Sequence, residues 1–252
     1  MKIFSNTIVV ILALLFSGGC TNKGSGKKDA NVENDPANAA DSIVQYFSNQ
    51  VLLKEVSFKN GVRNGLTKTY YRGGQLYQTF WYINDLREDS SGYYYLEGQL
   101  FRSTPYKHDT IDGIQRQYYR TGEIKAKIGY SKGLRTPYFE EFTKEGKRVK
   151  GYPDIVTGIN DEYNSSGRYT INLSLSDNNK KVKFYRGEFT DNRFDTAKCR
   201  LLKTTDGRAA LILKKTGTPK RSYVGIISEF TTGFANRYLV YKKIDLPYND
   251  LN

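Results

Sequence analysis

The chain has 252 residues, 39 Lys and Arg against 26 Asp and Glu, a formal net charge of +13 and two cysteines. The excess is diffuse, 18 basic against 12 acidic residues over 46–154 and 17 against 10 over 155–252, so no basic block of the kind that marks a nucleic-acid tract is present. One histidine and two cysteines exclude the usual zinc sites, and no segment approaches the roughly 20 apolar residues of a membrane-spanning helix.

At the N-terminus, Lys2 is followed by an unbroken apolar run, Ile8 to Phe16, and by the small residues Ser17, Gly18 and Gly19 before Cys20. Nine apolar residues suit the apolar region of a signal peptide ending at a small-residue cleavage site. The arrangement resembles the bacterial lipobox, with Ser17 where an aliphatic residue is usual. That resemblance implies removal of residues 1–19 and lipid on Cys20. The protein is then exported and anchored to a membrane of the cell envelope, in particular the outer membrane. Export also argues against a nucleic-acid partner. With Cys20 acylated, Cys199 has no disulfide partner, and its setting, Lys198-Cys199-Arg200-Leu201-Leu202, reads as a small buried residue on a strand. Residues 20–45 are polar and nearly lack large apolar side chains, so they read as a flexible tether.

From Tyr46 to Asp154 the chain repeats every 24 residues. Gly74, Gly98, Gly122 and Gly146 stand at that spacing, preceded four places earlier by Tyr70, Tyr94, Tyr118 and Phe142. Tyr71, Tyr95 and Tyr119 follow one place later, and Leu76, Leu100 and Ile124 two places after the glycines. The first and last units are degenerate, with Gln50 in the glycine column of the first. Each unit reads as a β-hairpin. Glu97 and Thr121 are poor at the positive φ of a two-residue turn, so a three-residue loop with glycine in the left-handed position fits better. Strand alternation from that loop gives two faces. One collects Leu66, Tyr70, Leu76, Phe80 and Tyr82, matched in the third unit by Ile114, Tyr118, Ile124, Ile128 and Tyr130. The other collects Thr67, Thr69, Tyr71, Gln75, Tyr77 and Trp81.

The aromatic pair, glycine, aliphatic residue and Tyr-x-x-Gly-x-x-x-Gly, seen in Phe58-Lys59-Asn60-Gly61-Val62-Arg63-Asn64-Gly65, resemble the MORN repeat in its bacterial variant form. Asp85, Asp89, Asp109 and Pro137 replace glycines of that element. The resemblance implies stacked hairpins forming an elongated, non-catalytic sheet for protein or membrane association, and it carries the label antitoxin-like.

After Asp154 the register disappears. Gly158 to Gly167 reads as a linker or long turn. Alternating runs then follow at Tyr169–Ser174, Lys181–Phe189, Lys198–Thr204, Ala209–Lys214, Tyr223–Phe230 and Arg237–Ile244. Short strands at this spacing predict a small antiparallel sandwich or barrel over 155–252. The expected class is therefore all-β: an antiparallel sheet of 24-residue hairpin repeats over 46–154, followed by a β-sandwich-like domain.

Chemistry is sparse. His108, the only histidine, falls in a turn column with Asn60, Asn84 and Lys132 and reads as an exposed loop residue. Glu140-Glu141 and Asp161-Glu162 are adjacent pairs whose members point to opposite faces of a strand, unlike a glycosidase pair. The glycines follow repeat spacing, not a phosphate loop. No cofactor and no enzymatic activity are expected. What remains is a surface of aromatic residues with basic neighbours: Tyr71, Tyr77, Trp81, Tyr95, Phe101 and Tyr119, suited to a protein or a glycan. The first expectation is a lipid-anchored binding scaffold. The alternatives are an immunity protein that neutralises a toxin in the envelope, and a carbohydrate-active enzyme with its site in the C-terminal domain.

Overall fold

A computed structural model describes residues 8–12 and 41–252. Cys20 and most of the expected leader and tether lie outside the described residues. The chain forms two compact units, residues 1–125 and 126–252. Its described residues are nearly all β, as expected.

In the first unit consecutive strands are sheet neighbours, in the order β1 (Ile8–Leu12), β2 (Ser42–Ser48), β3 (Val51–Lys59), β4 (Val62–Tyr70), β5 (Leu76–Ile83), β6 (Leu86–Tyr94), β7 (Leu100–Lys107) and β9 (Gly113–Tyr118). The short β8 (Thr110–Ile111) also pairs β7. Strand β2 thus begins inside the stretch expected to be tether, and the apolar run supplies β1 beside it.

Two kinds of turn join these strands. The three-residue loops are as expected. Tyr71 donates its N–H to Gln75 O at 2.8 Å, Gly74 donates to Tyr71 O at 2.9 Å, and Gly74 sits at φ +85°. Tyr95 and Tyr119 repeat the arrangement with Gly98 and Gly122. At the other strand ends lie two-residue turns with positive φ at both positions: Asn49-Gln50, Asn60-Gly61, Asn84-Asp85 and His108-Asp109. This is the type I′ pattern, which Asn, Asp and Gly tolerate best. The turn of the degenerate first unit is therefore of this second kind.

The expected faces need correction. Tyr70 does stand opposite Leu76, but Thr69 stands opposite Gln78, so Tyr77 is the extra residue of a β-bulge. One extra residue reverses the parity of the rest of the strand. Thr67 consequently faces Phe80, and Leu66 faces Trp81. Val56, opposite Thr67, shares the Thr67–Phe80 face. Glu55 and Lys68, opposite each other and adjacent to Val56 and Thr67, lie on the reverse side. Tyr70 belongs there too, its hydroxyl 2.5 Å from Glu55 Oε2. The buried column of the repeats is polar: Thr67, Ser91 and Gln115, 24 residues apart, are buried, with Thr104 between. Gln115 Nε2 donates to Thr104 Oγ1 at 3.1 Å, and Ser91 Oγ to Thr104 O at 3.3 Å.

The second unit opens within β10 (Ile124–Ser131), which pairs β11 (Leu134–Glu141). Two four-stranded antiparallel sheets follow. One has the order β12-β13-β17-β16, with β12 at Ile155–Glu162, β13 at Arg168–Leu175, β16 at Thr204–Thr205 and β17 at Arg208–Lys214. The other has the order β15-β14-β18-β19, with β14 at Val182–Arg186, β15 at Arg200–Leu201, β18 at Tyr223–Thr231 and β19 at Arg237–Asp245. Alternation supplies their shared core: Ile171, Leu173, Leu211 and Leu213 from one, Phe184, Val224, Ile226 and Phe230 from the other. Ile227, Tyr185 and Leu239 line the back of the second sheet, with Phe194 over them. The stretch read as a linker is instead β12, paired along its whole length with β13 and closed by the helical turn Tyr163–Ser166 and a left-handed Gly167. Within the part of it that reads as linker, 158–162, Ile159 is the one large apolar residue, which hides the strand from a hydrophobicity reading.

The β10–β11 hairpin is fixed to the sandwich. Fully buried Glu141 accepts from Thr232 Oγ1 at 2.7 Å, Asn236 Nδ2 at 2.8 Å and Tyr152 Oη at 2.9 Å. Phe139, Tyr152 and Tyr238 stack beside it, with ring centroids 4.4–5.8 Å apart. Phe194 N–H donates to Arg135 O at 2.7 Å, and Arg135 donates to Arg237 O at 2.9 Å.

Candidate binding surface

The aromatic residues singled out by the repeat fall into two places. Tyr71 and Tyr77 meet edge-on at 5.0 Å, and Tyr95 and Phe101 repeat the contact at 5.2 Å. In the third unit Lys125 takes the column of Tyr77 and Phe101, its Nζ 5.9 Å from the Tyr119 ring. Tyr77 (38% exposed) and Phe101 (36%) are the open members. Tyr71 and Tyr95 are half-buried and latched: the Tyr71 hydroxyl donates to Tyr94 O at 2.9 Å and the Tyr95 hydroxyl to Tyr118 O at 3.0 Å. Trp81 is not with them. Opposite Leu66, it lies on the reverse face, 43% exposed, in a groove with Ile43, Phe58 and Leu66.

From Tyr77 the ring contacts continue along the Val56 face, to Tyr93 at 6.1 Å, then Phe80 at 6.3 Å, then Tyr106 at 6.0 Å and Tyr82 at 6.1 Å. Three arginines lie over this chain. Arg63 is 4.3 Å from the Tyr82 ring, Arg87 is 4.4 Å from Tyr106, and Arg102 is 4.3 Å from Tyr93. Such stacking holds a guanidinium flat against a π face. Two of the three are neutralised in a repeating way: Arg63 Nε meets Asp85 Oδ1 at 2.9 Å and Arg87 Nε meets Asp109 Oδ1 at 2.7 Å. These bonds hold both carboxyls below the ordinary carboxylate range. They also raise the two guanidiniums. Arg102 differs, making no ion pair among the described residues, and its buried Nε has no hydrogen-bond partner.

Tyr93 and Arg102 are not among the residues that repeat spacing selects, and Phe80 is expected on the face of Leu66 but stands opposite Thr67. Alternation from Tyr95 could have found Tyr93, two places earlier on the same strand side. Nothing in the sequence marks the bulge that turns Trp81 away. His108 occupies an exposed turn, 3.5 Å from a Glu88 carboxylate oxygen. Cys199 is half-buried beside the Tyr185 cluster, and burial pushes its thiol up. Among the described residues no three His, Cys, Asp or Glu side chains gather as a metal site. No protein-family model matches the chain, and no curated protein matches it either.

Proposed function

We propose that the first unit is a non-catalytic binding scaffold of the MORN-like kind. Its contact surface is the aromatic chain Tyr71–Tyr77–Tyr93–Phe80 together with Tyr95–Phe101, and it is carried by an exported lipoprotein anchored through Cys20. The observation that carries this reading is Arg102, stacked on Tyr93 with no carboxylate partner, beside exposed Tyr77 and Phe101. Aromatic and arginine side chains of this kind are the usual anchors of protein contacts. An unneutralised guanidinium selects a partner with an acidic group, on a protein or a glycan of the envelope.

Tyr77 and Phe101 are exposed, so the double variant Tyr77→Ser/Phe101→Ser should keep its stability within about 1 kcal/mol. Crosslinking in intact cells should capture an envelope partner with the wild type and lose it with the double variant. Undiminished capture by a well-folded double variant would remove this surface from the function. Anchoring has its own test. Cys20→Ala should abolish incorporation of labelled fatty acid and release the protein to the aqueous phase, and continued labelling would overturn the lipoprotein reading.

A further inference from the structure

We propose that the second unit carries an oxyanion-binding site built on Arg186, Arg221 and Lys198, and that it takes a phosphate group. Arg186 stands directly opposite Arg200 in the β14–β15 pairing. Like charges placed directly opposite on antiparallel strands destabilise the pair unless something compensates them. Among the described residues no carboxylate forms an ion pair with either arginine. The guanidinium of Arg186 is half-buried, and its hydrogen bond goes to the neutral side-chain oxygen of Asn252 at 3.2 Å. None of Arg186, Arg200, Arg221 and Lys198 forms an ion pair among the described residues. By contrast Arg63, Arg87, Arg120, Arg148, Arg193 and Arg237 each have a carboxylate partner.

Arg186, Lys198 and Arg221 line one cavity, along with the backbones of Gly187 and Gly225. Burial, and then the fields of Arg200 and Arg221, hold the Arg186 guanidinium below its usual range. Two carboxylates share the wall. Asp191 is already taken by Arg193 at 2.7 Å. Among the described residues Glu188 forms no ion pair, and its Oε1 is buried without a hydrogen-bond partner. The cavity thus offers three cations to an oxyanion and one acceptor to a donor on the same ligand. Planar guanidinium forks match tetrahedral oxyanions, which accept several charge-assisted bonds at once. A phosphate monoester bearing a hydroxyl or amino group satisfies both ends. The same chemistry is available on a soluble metabolite and on a lipid headgroup.

The test uses the full chain and inorganic phosphate, at ionic strength held constant with chloride. Calorimetry should show saturable phosphate binding by the wild type, with a rise in melting temperature. Arg221→Gln, at an exposed position with no side-chain hydrogen bond or ion pair among the described residues, should weaken that affinity about tenfold or more, with its phosphate-free melt unchanged. Glu188→Gln should bind phosphate at least as tightly as the wild type. Vesicles of phosphatidic acid, against phosphatidylcholine, then separate the sources. Binding that inorganic phosphate displaces and Arg221→Gln abolishes assigns the site to a headgroup, and phosphate binding without vesicle binding assigns it to a soluble ligand. Equal phosphate affinity in the wild type and Arg221→Gln, or none in the wild type, would overturn the proposal.

Discussion

Tyr70 and Tyr71 are neighbours in the chain and hold opposite sides of the sheet. The Tyr70 hydroxyl donates to Glu55 at 2.5 Å, where Gln45 donates at 2.8 Å and Lys68 Nζ stands at 3.6 Å. Burial, reinforced by the Glu55 bond, pushes the phenol up to about 12. The same bond, helped by Gln45 and Lys68 against the cost of burial, holds Glu55 below its ordinary range. The proton therefore stays on the phenol. A folded pKa above the ordinary tyrosine value of about 10 means that the contribution is complete below about pH 10. It is lost as pH rises through about 12, where Tyr70 ionises beside a carboxylate. The melting temperature of the wild type should exceed that of Tyr70→Phe near neutrality, and the gap should close over that window. The chain has 21 tyrosines, so only the difference between the two proteins isolates Tyr70. A gap constant through the alkaline range would show that neither burial nor the Glu55 bond holds the Tyr70 proton in the fold.

Hairpins form the next scale, and there the sequence was legible in its turns and not in its faces. Gly122 lies at φ +99°, and an added Cβ meets nothing within 4 Å, so the cost of a substitution there is backbone strain alone. Gly122→Val should destabilise by about 1–3 kcal/mol. His108→Ala, at an exposed left-handed turn position that already carries a side chain, should cost less, about 1 kcal/mol at most, in the same denaturant titration. The reverse ranking would mean that the three-residue loop is not formed. Glycine and tyrosine columns announced these loops because a left-handed position tolerates few residue types. The bulge at Tyr77 has no such marker: any residue can be the extra one, so parity carried past it gave the wrong partner to Phe80 and misplaced Trp81. The buried column of Thr67, Ser91 and Gln115 was equally silent, because small polar side chains read as surface. Strand β12 escaped notice for a related reason, its outward Gly158 and Asn160 resembling a linker.

Across the whole molecule the two units are held by different means. Apolar burial is dense in the sandwich core. In the repeats the fastenings are polar and recur from hairpin to hairpin: Arg63 to Asp85, Arg87 to Asp109, Tyr71 to Tyr94 and Tyr95 to Tyr118. Glu141, in the last hairpin, is instead claimed by the sandwich. Glu141→Ala would strand Thr232, Asn236 and the Tyr152 phenol, groups that cost about 1–3 kcal/mol each when buried unpaired. Thermal melts should show a loss of at least that size. A loss below 1 kcal/mol would mean that these donors find water or one another. The recurring fastenings have a consequence for ancestry. Each spans 22 or 23 residues, one repeat step less a fixed offset. Excising residues 75–98 would set Gly74 before Gln99, bring Arg63 to Asp109 and Tyr71 to Tyr118, and leave none of these four fastenings half-made. The length of this sheet can thus change by whole copies through gene duplication or loss, without any residue having to change in the same event.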